Sequence, residues 1–157
     1  MGTLAVGDLA PDFTLEADDA KTVTLSALRP HKVVLYVYPA AFTAGCSLEA
    51  QDFRDADKPF EDAGYKVFGI SPDSPEKNRA FAQDLRLPFE LLSDPDHKVL
   101  EEYGAWGEKT AFGRTKIGVI RSTFVIGSDG RLTVVEYNVR AAGHVERLAA
   151  ELGVPWP

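Results

Sequence analysis

The chain has 157 residues, 45% of them hydrophobic and 26% charged, with a net charge of −7. These totals suit one soluble domain over residues 1–157, large enough to bury roughly 70% of the surface its unfolded chain exposes. The negative balance excludes nucleic acid and anionic membrane surfaces from the expected partners, and no apolar run approaches the ~20 residues of a membrane span.

The start of the chain, Met1-Gly2-Thr3-Leu4-Ala5-Val6-Gly7-Asp8, has neither the basic flank nor the apolar stretch of a signal peptide. There is one cysteine, Cys46. An unpaired thiol and no leader fit a reducing cytoplasm. There is no repeat, low-complexity tract or linker.

In chain order, Phe13-Thr14-Leu15 and Thr22-Val23-Thr24-Leu25 alternate on either side of a polar stretch and predict an N-terminal hairpin. Lys32 to Tyr38 is nearly all apolar, the pattern of a strand buried on both faces. A helix is expected from about Gly45. Cys46, Ala50, Phe53, Ala56, Phe60 and Ala63 share one face of it, while Glu49, Asp52, Arg54, Asp55, Asp57 and Glu61 fall mostly on others. Thr43 stands where it could cap that helix. Pro59 cannot donate to the ladder and predicts a kink, or a break and restart.

Tyr65 to Ile70 is the next strand. Ser74 as cap and Pro75 in the first position open a helix to about Leu85. Phe89 to Leu92 is a short strand, and Ser93-Asp94-Pro95 repeats the cap-and-proline signal for a helix to about Tyr103. Trp106 to Lys116 reads as a loop. Val119 to Ile126 and Leu132 to Tyr137 flank Gly127-Ser128-Asp129-Gly130, a strong hairpin signal, and Ala141 to Leu152 closes the chain as a helix. The order β-β-β-α-β-α-β-α-β-β-α predicts an α/β fold with a mixed central sheet flanked by helices.

Cys46 lies just past the end of a buried strand, in the first turn of a helix. There it meets the positive end of the helix dipole and backbone N–H groups without helix partners. Both favour the thiolate, the nucleophilic form. Pro39 ends the strand and shields the thiol. The Thr43 hydroxyl could donate to sulfur or to a bound oxygen, as could the N–H groups of Gly45 and Cys46. No fixed positive charge is evident locally; Lys32 and Arg54 are the nearest in sequence. Glu49 and Asp52 would oppose the thiolate.

By itself a lone cysteine reads as a small buried hydrophobe. The spacing Pro39-x-x-x-Thr43-x-x-Cys46 argues otherwise, because it matches the active-site signature of peroxiredoxins. The string from Tyr36 to Asp55 resembles the branch called bacterioferritin comigratory protein, or peroxiredoxin Q. So do Gly69-Ile70-Ser71-Pro72-Asp73, Leu87-Pro88-Phe89 with Leu91-Leu92-Ser93-Asp94, Trp106-Gly107-Glu108-Lys109 and Arg121-Ser122-Thr123-Phe124-Val125-Ile126.

The resemblance implies a thioredoxin-like fold and thiol-dependent reduction of hydrogen peroxide and organic hydroperoxides through a cysteine sulfenic acid. It places Arg121 as the active-site arginine, able to stabilise the thiolate and hold peroxide oxygens with paired donors. It implies no cofactor and no metal. Many members of the branch carry a second, resolving cysteine five residues after the first, and others carry it on the next helix. Here the former position is Gln51, and Glu76 to Leu85 contains no cysteine. The reductant is therefore expected to be external: thioredoxin, glutaredoxin, a low-molecular-weight thiol, or Cys46 of another subunit. The expected state is a monomer, with a dimer as the alternative.

Other residues carry two readings. Glu49 is a solvated or dipole-paired carboxylate, or it orients Arg121. Phe42 and Trp106 pack, or line an apolar entrance. His31, His97 and His144 show no metal spacing and read as structural or surface residues. The rival function is a thioredoxin-fold redox sensor or binding module whose Cys46 oxidises without turnover. A thiol-disulfide oxidoreductase ranks below both for want of a Cys-x-x-Cys pair.

Overall fold

A computed structural model describes residues 3–111 and 113–157. The first strands, β1 (Thr14–Ala17) and β2 (Thr22–Thr24), form the expected antiparallel hairpin, followed by a 3-10 turn at Leu25–Leu28. Then come β3 (Lys32–Val37), α1 (Ala44–Asp62), β4 (Tyr65–Ser71), α2 (Pro75–Leu85), β5 (Glu90–Ser93) and α3 (Lys98–Glu102). The chain continues through β6 (Trp106–Ala111), β7 (Arg114–Val119), β8 (Ser122–Ile126), β9 (Leu132–Tyr137) and α4 (His144–Leu152).

Among the described residues, seven strands form one sheet in the order β2-β1-β5-β4-β3-β8-β9. The pairs β3–β4 and β4–β5 are parallel, joined by helical crossovers; β3–β8, β8–β9, β1–β2 and β1–β5 are antiparallel. The mixed sheet has two apolar cores, one on each face. Val34, Tyr36 and Tyr38 point into the core built with α1, α2 and α4. Val33, Leu35 and Val37 point into the other, shared with α3 and the N-terminal segment. A strand covered on both faces explains the continuous apolar run of β3.

At Gly69 the first core leaves no room for a side chain. An added Cβ would stand 2.7 Å from Leu91 Cδ2 and 2.9 Å from the Tyr36 ring, which crosses β4 at the residue paired with it.

Several expectations need correction. Pro59 does not break α1, which runs through it and ends three residues later at Asp62. So near the helix end, its missing N–H costs one ladder bond, to Asp55, on the exposed face. Ser74 does cap α2, accepting from Lys77 N at 3.2 Å, with Pro75 first in the helix. The similar signal at Ser93-Asp94-Pro95 starts no helix there. A turn intervenes, His97 adopts a left-handed conformation, and α3 begins at Lys98 with Asp94 Oδ2 accepting from Leu100 N at 2.8 Å.

Trp106 to Lys116 is not a loop. β6 and β7 pair with each other in a separate two-stranded antiparallel ladder from Trp106↔Val119 to Ala111↔Arg114. Its polar, exposed β7 lacks the apolar alternation that reveals a strand in sequence. Val119 therefore closes β7, and β8 starts only at Ser122. The last helix starts at His144, three residues later than expected.

Candidate active site

The register of the sheet assembles the site. β8 runs antiparallel to β3 with Ser122 opposite Val37, so the residue before Ser122 falls beside the loop leaving β3. That residue is Arg121. The loop from Tyr38 to Thr43 leads into α1, whose first turn holds Cys46. Two segments 75 residues apart in sequence are thereby joined: Arg121 Nη2 lies 3.2 Å from Cys46 Sγ. Cys46 is only 1% exposed.

The guanidinium lies over the helix start: a Cβ built on Gly45 would stand 3.4 Å from Arg121 Nη2 and 3.7 Å from the Ala141 side chain, ordinary contact distances. The first ladder bond of α1 is Ser47 N to Thr43 O at 2.9 Å, which leaves the N–H groups of Ala44, Gly45 and Cys46 without helix partners.

Glu49 faces inward with Cys46, and its side chain is fully buried. Its Oε1 accepts from Arg121 Nη1 at 2.6 Å; its Oε2 has no hydrogen-bond partner among the described residues. Burial pushes the Glu49 carboxyl up to about 7, against the pull of Arg121 in the other direction. Burial alone would lower Arg121, but the charges of Glu49 and Cys46 outweigh it and hold the guanidinium above its ordinary value. The helical pattern placed Glu49 mostly off the apolar face, and this is corrected: three residues on from Cys46, it shares that face and is buried there. Of its two readings the solvated carboxylate falls, and the carboxyl pairs with Arg121.

Thr43 stands at the N-cap position with an extended backbone, yet its hydroxyl makes no cap bond. It donates instead to Ala40 O at 2.8 Å. The expected cap bond is therefore corrected: the hydroxyl spends its proton on the loop. Pro39 is half-buried where the chain leaves the sheet, one residue past the last ladder contact, Tyr38 N to Ile70 O at 3.0 Å. Phe42 has a φ of 65°, is 51% exposed, and meets the Phe81 ring edge-to-face at 5.3 Å.

Trp106 is not brought to this group. It stacks on His97 at 3.9 Å and packs against the core on the other face of the sheet. Lys32 lies over the Tyr65 ring and Arg54 donates to Leu85 O, so neither supplies charge at the sulfur. His144 is buried behind the site, bonded through Nε2 to Thr123 Oγ1 at 2.9 Å. Burial, then Arg147 and Arg121, lowers it to about 4. A cleft of about 500 Å³ lined by His31, Asp57, Tyr65, Phe89 and others lies at the amino ends of β3 and β4 and includes neither Cys46 nor Arg121. No group of metal-ligating side chains occurs among the described residues.

A thiol under a guanidinium at the start of a helix, on a sheet of this topology, defines a thiol-based redox protein. The AhpC/TSA family model matches residues 6–135, and the chain belongs to that family. A protein of Mycobacterium tuberculosis named as a peroxiredoxin is 51% identical over 151 residues, 96% of either chain. Peroxiredoxin Bcp of Escherichia coli is 41% identical over 144 residues, 92% of either chain. Among solved structures, the bacterioferritin comigratory protein of Xanthomonas campestris, described for its alkyl peroxide reduction activity, superposes with a TM-score of 0.87 at 30% identity over 96% of each chain.

Within the family the chain is thus a one-cysteine peroxiredoxin of the bacterioferritin comigratory branch, a thiol-dependent peroxidase with a thioredoxin-like fold.

Proposed function

We propose that Cys46 is the peroxidatic nucleophile of this peroxidase and that Arg121, Thr43 and Pro39 complete its site. The observation that carries this reading is the 3.2 Å contact between Arg121 Nη2 and Cys46 Sγ. The guanidinium favours thiolate over thiol and also presents N–H donors beside the sulfur. A hydroperoxide enters with its terminal oxygen in line with Sγ. The S–O bond forms as the O–O bond breaks; the terminal oxygen keeps its hydrogen, and the leaving oxygen takes from solvent the proton that the thiol lost there, departing as water or an alcohol. Sulfur is oxidised to the sulfenic acid as the peroxide is reduced.

Arg121 and the free N–H groups of Gly45 and Cys46 stabilise charge shifting between the two oxygens. With its proton donated to Ala40, the Thr43 oxygen accepts the peroxide hydrogen and so orients the substrate. Pro39 walls the pocket with an N–H-free surface. Phe42, half exposed at the rim, offers an apolar surface to organic hydroperoxides.

The second half of the cycle uses an external thiol, since Gln51 and α2 contribute no sulfur. One thiol condenses with the sulfenic acid, releasing water and forming a mixed disulfide; a second thiol releases Cys46 and leaves as the disulfide. Thioredoxin, glutaredoxin or a small thiol fits this role. The chain works as one domain and as a monomer, supported by a single main sheet with a core on each face. Its setting is the cytoplasm, where a lone thiol is kept reduced; no described helix is long and apolar enough to cross a membrane.

Steady-state peroxide consumption with thioredoxin or dithiothreitol tests the reading. Sustained turnover by the wild type and none by Cys46→Ser is expected. One rapid oxidation of Cys46 with no reductant supporting turnover would make the protein a sensor instead.

A further inference from the structure

The peptide unit between Ala40 and Ala41 is gripped from both sides. Its carbonyl, on Ala40, accepts the Thr43 hydroxyl at 2.8 Å. Its N–H, on Ala41, donates to Asp73 Oδ2 at 2.8 Å. Asp73 belongs to the turn between β4 and α2 and has had no part in the mechanism so far. We propose that Asp73 is a positioning residue for peroxide reduction, acting on Thr43 through the single peptide plane that links the Asp73 carboxyl to the Thr43 hydroxyl.

Three features support this. First, Asp73 is itself fixed: Oδ2 also accepts from Ser71 Oγ at 3.0 Å, Ser71 Oγ accepts from Asp73 N at 3.2 Å, and Lys77 Nζ pairs with Oδ1 at 3.2 Å. Ser71 is fully buried and the Asp73 side chain only 9% exposed, so the acceptor is held rather than solvated.

Second, Ala41 is buried, and without Asp73 its N–H would lose its partner. Rotating the peptide to find water would turn the Ala40 carbonyl away from Thr43. The Thr43 hydroxyl would then be free to point its proton at the sulfur or at substrate.

Third, three side chains of one stretch, Asp73 to Phe81, hold this loop. Asn78 accepts the Tyr38 hydroxyl at 2.5 Å just before the loop, Asp73 takes Ala41, and Phe81 backs Phe42. Phe42 follows Ala41 directly in a left-handed conformation that a bulky residue adopts only where its surroundings impose it.

The inference rests on Thr43 acting at the peroxide, as proposed above. The test is the rate of Cys46 oxidation by hydrogen peroxide, followed by rapid quench and mass spectrometry, in five proteins: wild type, Asp73→Ala, Asp73→Asn, Thr43→Val and the Asp73→Ala/Thr43→Val double variant. Misplacing an orienting group costs on the order of tenfold or more, so Asp73→Ala should oxidise at least tenfold more slowly. Asp73→Asn keeps one oxygen for Ala41 and turns its amide toward exposed Lys77; it should stay within about threefold of wild type. Reduction of the pre-formed Cys46 sulfenic acid by dithiothreitol should be unchanged in both, since Thr43 acts on the peroxide and not on the incoming thiol.

In the Thr43→Val background, Asp73→Ala should have almost no further effect, because the group it acts through is gone. An Asp73→Ala protein as fast as wild type overturns the proposal. So does an equal loss in both backgrounds, which would mean a general loosening of the loop. Should Asp73→Ala fail to fold, Ser71→Ala removes the donor that aims Oδ2 and replaces it in the cycle; a loss confined to the threonine background supports the inference, and no loss overturns it. A wild type that does not reduce peroxide would sink the function itself, a result distinct from any of these.

Discussion

Glu49 and Cys46 lie one helical turn apart and share one guanidinium, Nη1 of Arg121 at 2.6 Å from Glu49 Oε1 and Nη2 at 3.2 Å from Cys46 Sγ. The carboxylate holds Arg121 in place, yet its negative charge opposes the thiolate three residues away. The position therefore needs an acceptor more than it needs a charge.

Glu49→Gln separates these two roles. The amide oxygen still accepts from Arg121, and the opposing charge is gone. Cys46 of Glu49→Gln should therefore be oxidised by hydrogen peroxide at least as fast as in the wild type, measured by stopped flow. Glu49→Ala loses the acceptor as well, and its oxidation by peroxide should be slower than that of Glu49→Gln.

The same group makes a stability prediction. Glu49 titrates at about 7 in the fold, above its ordinary value of 4.5. The folded state thus binds this proton more tightly than the unfolded chain. Its contribution is full below 4.5, falls as pH rises through 7, and is constant above. His144 works in reverse: lowered to about 4 from 6.5, it contributes fully above 6.5 and loses that contribution as pH falls toward 4. In urea denaturation, wild type minus Glu49→Gln stability should fall from pH 4.5 to 7 by on the order of 3 kcal/mol. A flat difference would mean that Glu49 stays ionised throughout.

Arg121→Lys keeps a charge but cannot serve both partners with a planar fork. Its oxidation by peroxide should slow by roughly a hundredfold, the cost of one aimed donor. Reduction of the pre-formed sulfenic acid by dithiothreitol should change much less. Stopped-flow measurement of the two half-reactions separates them.

Gly69→Ala should destabilise the fold. Its Cβ would press on Leu91 and on the Tyr36 ring, which stacks on Phe53 of α1 at 4.5 Å. Overpacking of this kind costs about 1–3 kcal/mol, measurable by thermal or urea unfolding.

Much of this was legible in the sequence where one local force dominates. The apolar run of β3, the Ser74-Pro75 start of α2 and the Gly127 to Gly130 turn each report a single cause, and the structure follows them. Pro59 and Asp94 misled because their signals are real but subordinate to the neighbouring ladder and turn. The β6–β7 pair was hidden because its strands pair with each other and β7 is exposed from Arg114 to Ile117.

At the site, Pro39, Thr43 and Cys46 sit within eight residues of chain and can be read as a spacing. Arg121 could be placed only by resemblance, because its approach depends on the β3–β8 register. Glu49 was legible only as a possible partner of Arg121: the helical pattern put it mostly on the polar faces, and its burial depends on the register that brings Arg121 to it.

The central claim is that Cys46 alone takes the peroxide oxygen. Intact and peptide mass spectrometry after one equivalent of hydrogen peroxide tests it most directly. The account predicts one added oxygen on Cys46, replaced by a mixed disulfide when a small thiol follows. Oxygen on another residue with Cys46 unchanged, or undiminished peroxide consumption by Cys46→Ser, would contradict it.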